Sequence, residues 1–295
     1  MNNFPNLMPL YEVWQLVAEG GTAKIYRAHD KRSGFVVAIK ELKIRHFKNQ
    51  AIREKFKDIE TQLLLHLQHP NFPKLIDFID MKEQEQLYIV MEFIEGKTLE
   101  HYIYREVGLI PEQKALPLFS EILDTVAYLH NMGIPNLNKG TRDKGFLHLD
   151  IKPNNIMLQP NGKIKLIDLG IASRMSDAGN TGYGTLAYMP PEQTEKGKCG
   201  CYTDVFALGI MLFEMLTGTV PFNSQNPDGR QANEEIRQKI KRTPTPQMKQ
   251  FYPHINADLQ QIVERATAKN PDDRYQSCEE FQNVIKSYMY KHKIK

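Results

Sequence analysis

His148-Leu149-Asp150-Ile151-Lys152-Pro153-Asn154-Asn155 is followed by the apolar run Ile156-Met157-Leu158, by Gln159-Pro160-Asn161-Gly162, and then by Lys163-Ile164-Lys165-Leu166-Ile167-Asp168. Asn161-Gly162 between two short apolar runs is a hairpin signal, because both residues tolerate positive φ in a tight turn. Folding that hairpin returns Asp168 towards Asn155 and Asp150. Two acids and an amide then converge and offer hard oxygen ligands suited to Mg²⁺. A polar loop solvated at a sheet edge would account for the same residues, so this stretch alone leaves both readings standing.

A second feature lies upstream. Glu60 falls four residues after Phe56 and four before Leu64, on the apolar stripe formed by Ile52, Phe56, Ile59, Leu63, Leu64 and Leu67. An ionised carboxylate on a buried face is costly unless a cation meets it. In Phe35-Val36-Val37-Ala38-Ile39-Lys40-Glu41-Leu42 a period of two puts Val36, Ala38, Lys40 and Leu42 on one face. Lys40 is thus a cation in an apolar row. Long side chains snorkel, so neither residue is decisive by itself. Together they point to an internal Lys40–Glu60 pair.

Around these features the chain changes character once. Up to about Phe93 it reads as strands (Trp14–Val17, Lys24–His29, Phe35–Leu42, Leu75–Ile79, Leu87–Phe93) with the single helix that carries Glu60. Beyond it, Leu116–His130, Val205–Thr217, Glu234–Lys241, Leu259–Ala268 and Glu279–Tyr290 read as helices. No repeat or Pro/Gly/Ser linker divides the 295 residues. A small sheet lobe with one helix is expected to precede a larger helical lobe, with a ligand cleft between them. A hydrophobic fraction of 41% is sufficient for a folded core. A net charge of +3 gives no argument for nucleic acid. The longest apolar run, Val205–Phe213, is too short to span a bilayer. Met1–Leu10 lacks the pattern of a signal peptide. Three cysteines, Cys199, Cys201 and Cys278, make no disulfide framework and fit reduced thiols in the cytoplasm.

Val37-Ala38-Ile39-Lys40, His148-x-Asp150-x-Lys152-x-x-Asn155, Asp168-Leu169-Gly170 and Pro190-Pro191-Glu192 occur in the order and spacing of the protein kinase signature set. The chain therefore resembles the eukaryotic-type Ser/Thr protein kinases, in a bacterial form, over nearly its whole length. The resemblance implies an α+β bilobal kinase fold over residues 11–288, with residues 11–93 as the N-lobe and 94–288 as the C-lobe. ATP would lie between them, and residues 1–10 and 289–295 would be terminal extensions. It also implies ATP-dependent phosphorylation of protein substrates in signal transduction, with autophosphorylation, using Mg²⁺ or Mn²⁺.

Roles follow from the same resemblance. Lys40 would contact the α- and β-phosphates, with Glu60 holding Lys40 in place. Asp150 would orient the acceptor hydroxyl or take its proton, and Lys152 would neutralise charge on the transferred phosphoryl. Asn155 and Asp168 would bind the metal. Glu92 to Ile94 would meet adenine through backbone groups, with Met91 at the back of the pocket and Ile25, Ala38 and Met157 sandwiching the ring. Val17, Ala18, Gly20 and Gly21 belong to the phosphate-covering loop. Thr181 and Thr185 lie in an activation segment closed by Glu192, whose partner would be Arg274, while Asp204 would hold the catalytic-loop backbone. Lys152 and Thr185 are the choices of the Ser/Thr branch.

The chain departs from the pattern at three places. Ala18 and Ala23 replace two glycines of the phosphate loop, which implies altered rather than lost ATP contacts. Leu149 stands where many kinases carry an arginine that pairs with a phosphate on the activation segment, so phosphorylation of Thr181 is not expected to be required. Pro135–Gly145 is extra to the pattern and reads as an exposed loop. Two other classes remain in view. One is a scaffolding pseudokinase. The other is a small-molecule phosphotransferase, which would have no use for the Gly184–Glu192 peptide platform.

Overall fold

The computed structural model describes residues 9–20, 23–42, 62–81, 86–136, 141–169, 172–175 and 184–294. The chain separates into two compact units, Met1–Gly96 and Lys97–Lys295.

The first unit is built on a five-stranded antiparallel sheet. Its strands are β1 (Tyr11–Glu19), β2 (Ala23–Asp30), β3 (Val36–Leu42), β4 (Leu75–Met81) and β5 (Gln86–Glu92), in the order β1-β2-β3-β5-β4. One face of the sheet carries a core of Tyr11, Tyr26, Ala28, Val37, Ile39, Tyr88 and Val90. With Val37 and Ile39 on that face, the strand period places Ala38 and Lys40 on the other. Lys40 lies opposite Ile25 on β2 and Ile89 on β5, and it is only 4% exposed. Residues 62–66 are helical, and Leu63 and Leu64 are buried. Gly21 and Glu60 lie outside the described residues, and with Glu60 the expected Lys40–Glu60 pair.

The second unit is mainly helical. It begins with the short strand β6 (Lys97–Thr98) and one helical turn, α1 (Leu99–His101), that continues as a π-helix over Tyr102–Val107. The long helix α2 (Glu112–Asn131) follows. The strands β7 (Gly133–Asn136), β8 (Thr141–Lys144), β9 (Phe146–Leu147), β10 (Ile156–Leu158), β11 (Ile164–Leu166) and β12 (Ser173–Arg174) then come as small sheets. The rest is α3 (Pro191–Thr194), α4 (Cys201–Thr217), α5 (Gly229–Arg242), α6 (Ala257–Ala266) and α7 (Cys278–Lys291).

Helix α4 is the axis of this unit. Every residue from Thr203 to Thr217 is buried, as expected of a helix that is apolar on all sides. Helices α2, α6 and α7 pack around it. The Asn161-Gly162 turn forms as expected. β10 and β11 pair from Ile156↔Leu166 to Leu158↔Ile164, and Gly162 takes φ +81°.

The extra segment departs from the sequence expectation. It is a β-hairpin rather than a loop, with β7 and β8 paired from Gly133↔Lys144 to Asn136↔Thr141. Gly133-Ile134-Pro135-Asn136 and Thr141-Arg142-Asp143-Lys144 show no hydrophobic alternation for a sequence reading to find.

Helix α4 ends at Gly218, which adopts the left-handed conformation (φ +76°) and donates its N–H to Glu214 O at 2.8 Å. A Cβ at this position would strike the Gly108 carbonyl oxygen. Gly218→Ala is expected to lower the unfolding free energy by about 1–3 kcal/mol. Gly229→Ala, where a Cβ meets open space, should be neutral or slightly stabilising. Denaturant melts of both variants check this contrast.

Candidate active site

The segment His148–Asn155 has little regular structure of its own, and buried groups from three helices fix it. Asp204, fully buried near the start of α4, accepts the backbone N–H of His148 on Oδ2 and of Leu149 on Oδ1, each at 2.8 Å. The amide of Gln193 in α3 donates to Leu149 O at 2.9 Å. Leu149 needs this support, because its φ of +65° is unfavourable for a side chain with a Cβ. Its side chain is buried with Leu147 and Cys199, and Met175 and Cys201 pack against the group. An apolar cluster thus occupies the position where the family pattern carries an arginine.

Asp204 has a second partner in His130, at the end of α2, whose Nε2 lies 2.8 Å from Oδ2. Burial pushes the Asp204 carboxyl up, but the hydrogen bond and charge of His130 and the His148 N–H outweigh it and hold it below its ordinary value. Burial likewise opposes a charge on His130. The Cys278 sulfur and the Asp204 carboxylate outweigh that too, so His130 sits well above the usual imidazole range. His148 behaves oppositely. Burial pushes it down against the charges of Asp204, Asp150 and Asp168, and its Nδ1 accepts the Asp150 N–H at 3.3 Å, as a neutral imidazole can.

Asp150, Lys152 and Thr185 form one hydrogen-bonded cluster. Lys152 Nζ donates to Asp150 Oδ2 at 2.8 Å and to Thr185 Oγ1 at 2.7 Å. Thr185 donates its N–H and its hydroxyl to Asp150 Oδ1 at 2.9 and 2.8 Å. Asn155 spends its amide N–H on Asp150 O at 2.9 Å, with a longer contact of 3.4 Å to Oδ2. That leaves Asn155 Oδ1 as an acceptor. The β10–β11 ladder is extended by Ile167 N–H donating to Asn155 O at 2.8 Å, so Asp168 follows directly beside Asn155. Its φ of +70° is one that aspartate tolerates. An amide oxygen and a carboxylate are hard donors that fit Mg²⁺. Met157, in β10, pairs with Lys165 and Thr98.

The remaining anchors lie beyond this cluster. Arg274, 1% exposed, makes a bidentate pair with Glu192 at 2.8 and 2.9 Å. It also donates to the carbonyls of Ala268, Lys269 and Tyr202. Thr203 donates to the same Glu192 at 3.0 Å. Glu214, fully buried, accepts from the hydroxyls of Tyr104 at 2.5 Å and Tyr188 at 2.7 Å. Burial raises its pKa although both tyrosines act to lower it. The sequence reading did not single out His130, Gln193, Thr203, Tyr104, Tyr188 or Glu214 as anchors. Buried-face polar residues such as His130 and Glu214 were the available signal.

In the first unit, Lys40 and Ala38 share a face of β3, and Ile25 lies opposite Lys40 on β2 and opposite Ala18 on β1. Val17 and Ala18 are exposed. Gly20 donates its N–H to Ala23 O at 2.9 Å. Glu92 ends β5 and its carboxylate accepts from Lys74 N at 3.2 Å. Ile94 lies just beyond. Thr181 and Gly170 fall outside the described residues.

Two outcomes follow. Removing Arg274 leaves the Glu192 charge with one neutral donor, so Arg274→Ala should cost about 3–5 kcal/mol of stability. Arg274→Lys should restore little of it, because an ammonium cannot make the forked contact. Equilibrium unfolding of the two variants checks both statements.

The His130–Asp204 pair sets a pH window. Asp204 is lowered in the fold, so its contribution is whole above about 3.8 and is lost as pH falls through the folded value. His130 is raised, so its contribution is whole below about 6.5 and is lost as pH climbs through the folded value. The stability gap between wild type and His130→Gln should therefore be widest between those limits and close at alkaline pH. A gap that does not narrow as pH rises above 6.5 would refute the assignment.

Comparison with known proteins supplies the family. The protein kinase domain family matches residues 11–286. The chain is 34% identical over 282 residues to the serine/threonine-protein kinase PrkC of Bacillus subtilis, covering 94% of this chain and 40% of that protein. It is 32% identical over 280 residues to the probable serine/threonine-protein kinase PknB of Lactococcus lactis, covering 93% and 41%. It is 30% identical over 290 residues to PknB of Mycobacterium leprae, covering 95% and 43%. The chain thus spans about two fifths of the length of these curated relatives. Since the family match takes in all the residues described above, from Val17 to Arg274, this chain belongs to the protein kinase domain family.

Proposed function

We propose that this chain transfers the γ-phosphate of ATP to Ser and Thr side chains of protein substrates, itself included, in cytoplasmic signalling. The observation that carries the reading is the Asp150–Lys152–Thr185 cluster, in which an acid and a cation are held together by a residue of the peptide platform. Phosphoryl transfer depends mainly on positioning and charge stabilisation, and such a cluster supplies both. Family membership and the resemblance to bacterial Ser/Thr kinases support it.

In this reading Asp150 orients the acceptor hydroxyl and takes its proton, while Lys152 neutralises charge on the moving phosphoryl. Lys40, kept by Glu60, holds the α- and β-phosphates under Val17, Ala18, Gly20 and Gly21. Ile25, Ala38 and Met157 sandwich adenine, whose edge meets backbone groups between Glu92 and Ile94. Asn155 and Asp168 would hold Mg²⁺, or Mn²⁺ in its place, which neutralises charge across the phosphates when bound. Asp204, Glu192 and Arg274 act as supports. Thr181 is a phosphorylation site that activity does not require, because Leu149 offers a phosphate no cation.

Transfer from γ-labelled ATP to a generic protein acceptor and to the chain itself tests the reading. Asp150→Asn should lose about 10²–10⁴-fold in turnover, and Lys40→Met and Asp168→Ala should lose comparable amounts. Incorporation equal to wild type in Asp168→Ala would instead indicate a binding scaffold. Thr181→Ala should keep most of its turnover, and a fall below one tenth of wild type would remove the claim that Leu149 releases the chain from that phosphate.

A further inference from the structure

Glu100, in α1, is an exposed carboxylate next to the segment that carries Asp150. Its hydrogen-bond partner is neutral: Asn154 Nδ2 donates to Glu100 Oε2 at 3.0 Å. Nearby cations are engaged elsewhere. Lys97, three residues earlier, gives its ammonium to both oxygens of Glu106 at 2.7 Å, and Lys152 gives its own to Asp150 and Thr185. Among the described residues Glu100 takes part in no ion pair.

Two sets of hydrogen bonds place this charge. On one side, Asn154 stands four residues after Asp150 and directly before Asn155, whose amide bonds back to Asp150 O at 2.9 Å. On the other, Tyr104 follows Glu100 by four residues along the helical stretch of α1 and the π-helix, a spacing at which side chains are neighbours. The Tyr104 hydroxyl meets Glu214, which also takes the hydroxyl of Tyr188, three residues after Thr185. Glu100 is thus tied to both chain segments that build the Asp150–Thr185 cluster. Glu214 is fully buried and each of its oxygens is occupied by a tyrosine, so the charge presented at the surface here is that of Glu100.

We propose that Glu100 selects the substrate, by binding an arginine or lysine that lies two to four residues from the Ser or Thr received by Asp150. This deepens the kinase reading above and rests on it. Chain length alone keeps the Asn154 Cα within about 15 Å of that of Asp150, and the Asn155 bond shortens the span. An extended peptide advances about 3.3 Å per residue, so a residue two to four places from the acceptor starts about 7–13 Å away, and a long basic side chain covers the remainder. Arginine suits the position better than lysine. Asn154 engages Oε2 and leaves Oε1 for one arm of a guanidinium fork. An acidic residue at the same place in the peptide meets a like charge and is disfavoured.

The test gives the full chain a series of Ser and Thr peptides in which one arginine is moved along an alanine background, from four residues before the acceptor to four after. At one or two positions on one side, arginine should raise kcat/KM about two- to five-fold, the scale of an exposed ion pair. The gain should come mainly from KM and shrink between about 50 mM and about 500 mM salt. In Glu100→Gln it should fall below two-fold, and in Glu100→Lys glutamate should replace arginine as the favoured residue at that position. No two-fold gain anywhere in the wild-type scan, a gain that salt leaves intact, or an arginine preference that persists in Glu100→Lys would each overturn the proposal. The wild-type scan and its salt dependence decide the matter even if a variant misfolds. Fluorescence anisotropy of the same peptides reads the preference without turnover. Arginine-dependent binding lost in Glu100→Gln, in a protein that transfers no phosphate, would support this site and refute the kinase reading. Transfer without an arginine preference would do the reverse, and neither transfer nor preferential binding would refute both.

Discussion

The second unit depends on one buried carboxylate. Asp204 satisfies two backbone N–H groups and one imidazole at once, and so joins three parts of the chain: the start of α4, the end of α2, and the His148–Leu149 stretch. A carboxylate with no exposure is a large desolvation cost. It is tolerable here because each oxygen has a donor and a charged imidazole stands beside it. The same oxygens hold Leu149 in a left-handed conformation that no local preference would choose. The peptide turn before Asp150 is thus set by tertiary hydrogen bonds rather than by its own sequence.

A similar logic recurs along α4. Its apolar surface makes it a core helix, yet it buries Asp204 near one end and Glu214 near the other. Each acid reaches outward to a segment with weak structure of its own. Asp204 fixes the His148–Asn155 segment, and Glu214 ties Tyr188 to Tyr104 of the π-helix. Glu192 with Arg274 adds a third such tie, from α3 to the loop before α7. Rigid helices carry the polar anchors, and the irregular segments hang from them.

Much of this was legible in the sequence, for specific reasons. Strand β3 announced Lys40 because a period of two makes a cation in an apolar row stand out, and the strand pairs as that period requires. The β10–β11 hairpin was written in Asn161-Gly162, a local signal with a local cause. The ordered motifs gave Asp204 and the Glu192–Arg274 pair. What stayed hidden was contact between residues far apart in the chain. His130 and Asp204 are 74 residues apart, Leu149 and Gln193 44, and Tyr104 and Glu214 110. No spacing rule links such pairs. The β7–β8 hairpin was missed for the opposite reason, since its two four-residue arms carry no alternation of apolar and polar residues.

The Leu149 cluster changes how the His148–Asn155 segment should respond to its surroundings. A loop tied down by an arginine–phosphate contact is held by charges that salt screens. Here, beside the Asp204 and Gln193 hydrogen bonds, Leu149 packs with Leu147 and Cys199, an apolar contact that ionic strength leaves largely intact and that cooling weakens. That share of the segment's order is therefore tuned by temperature more than by electrolyte.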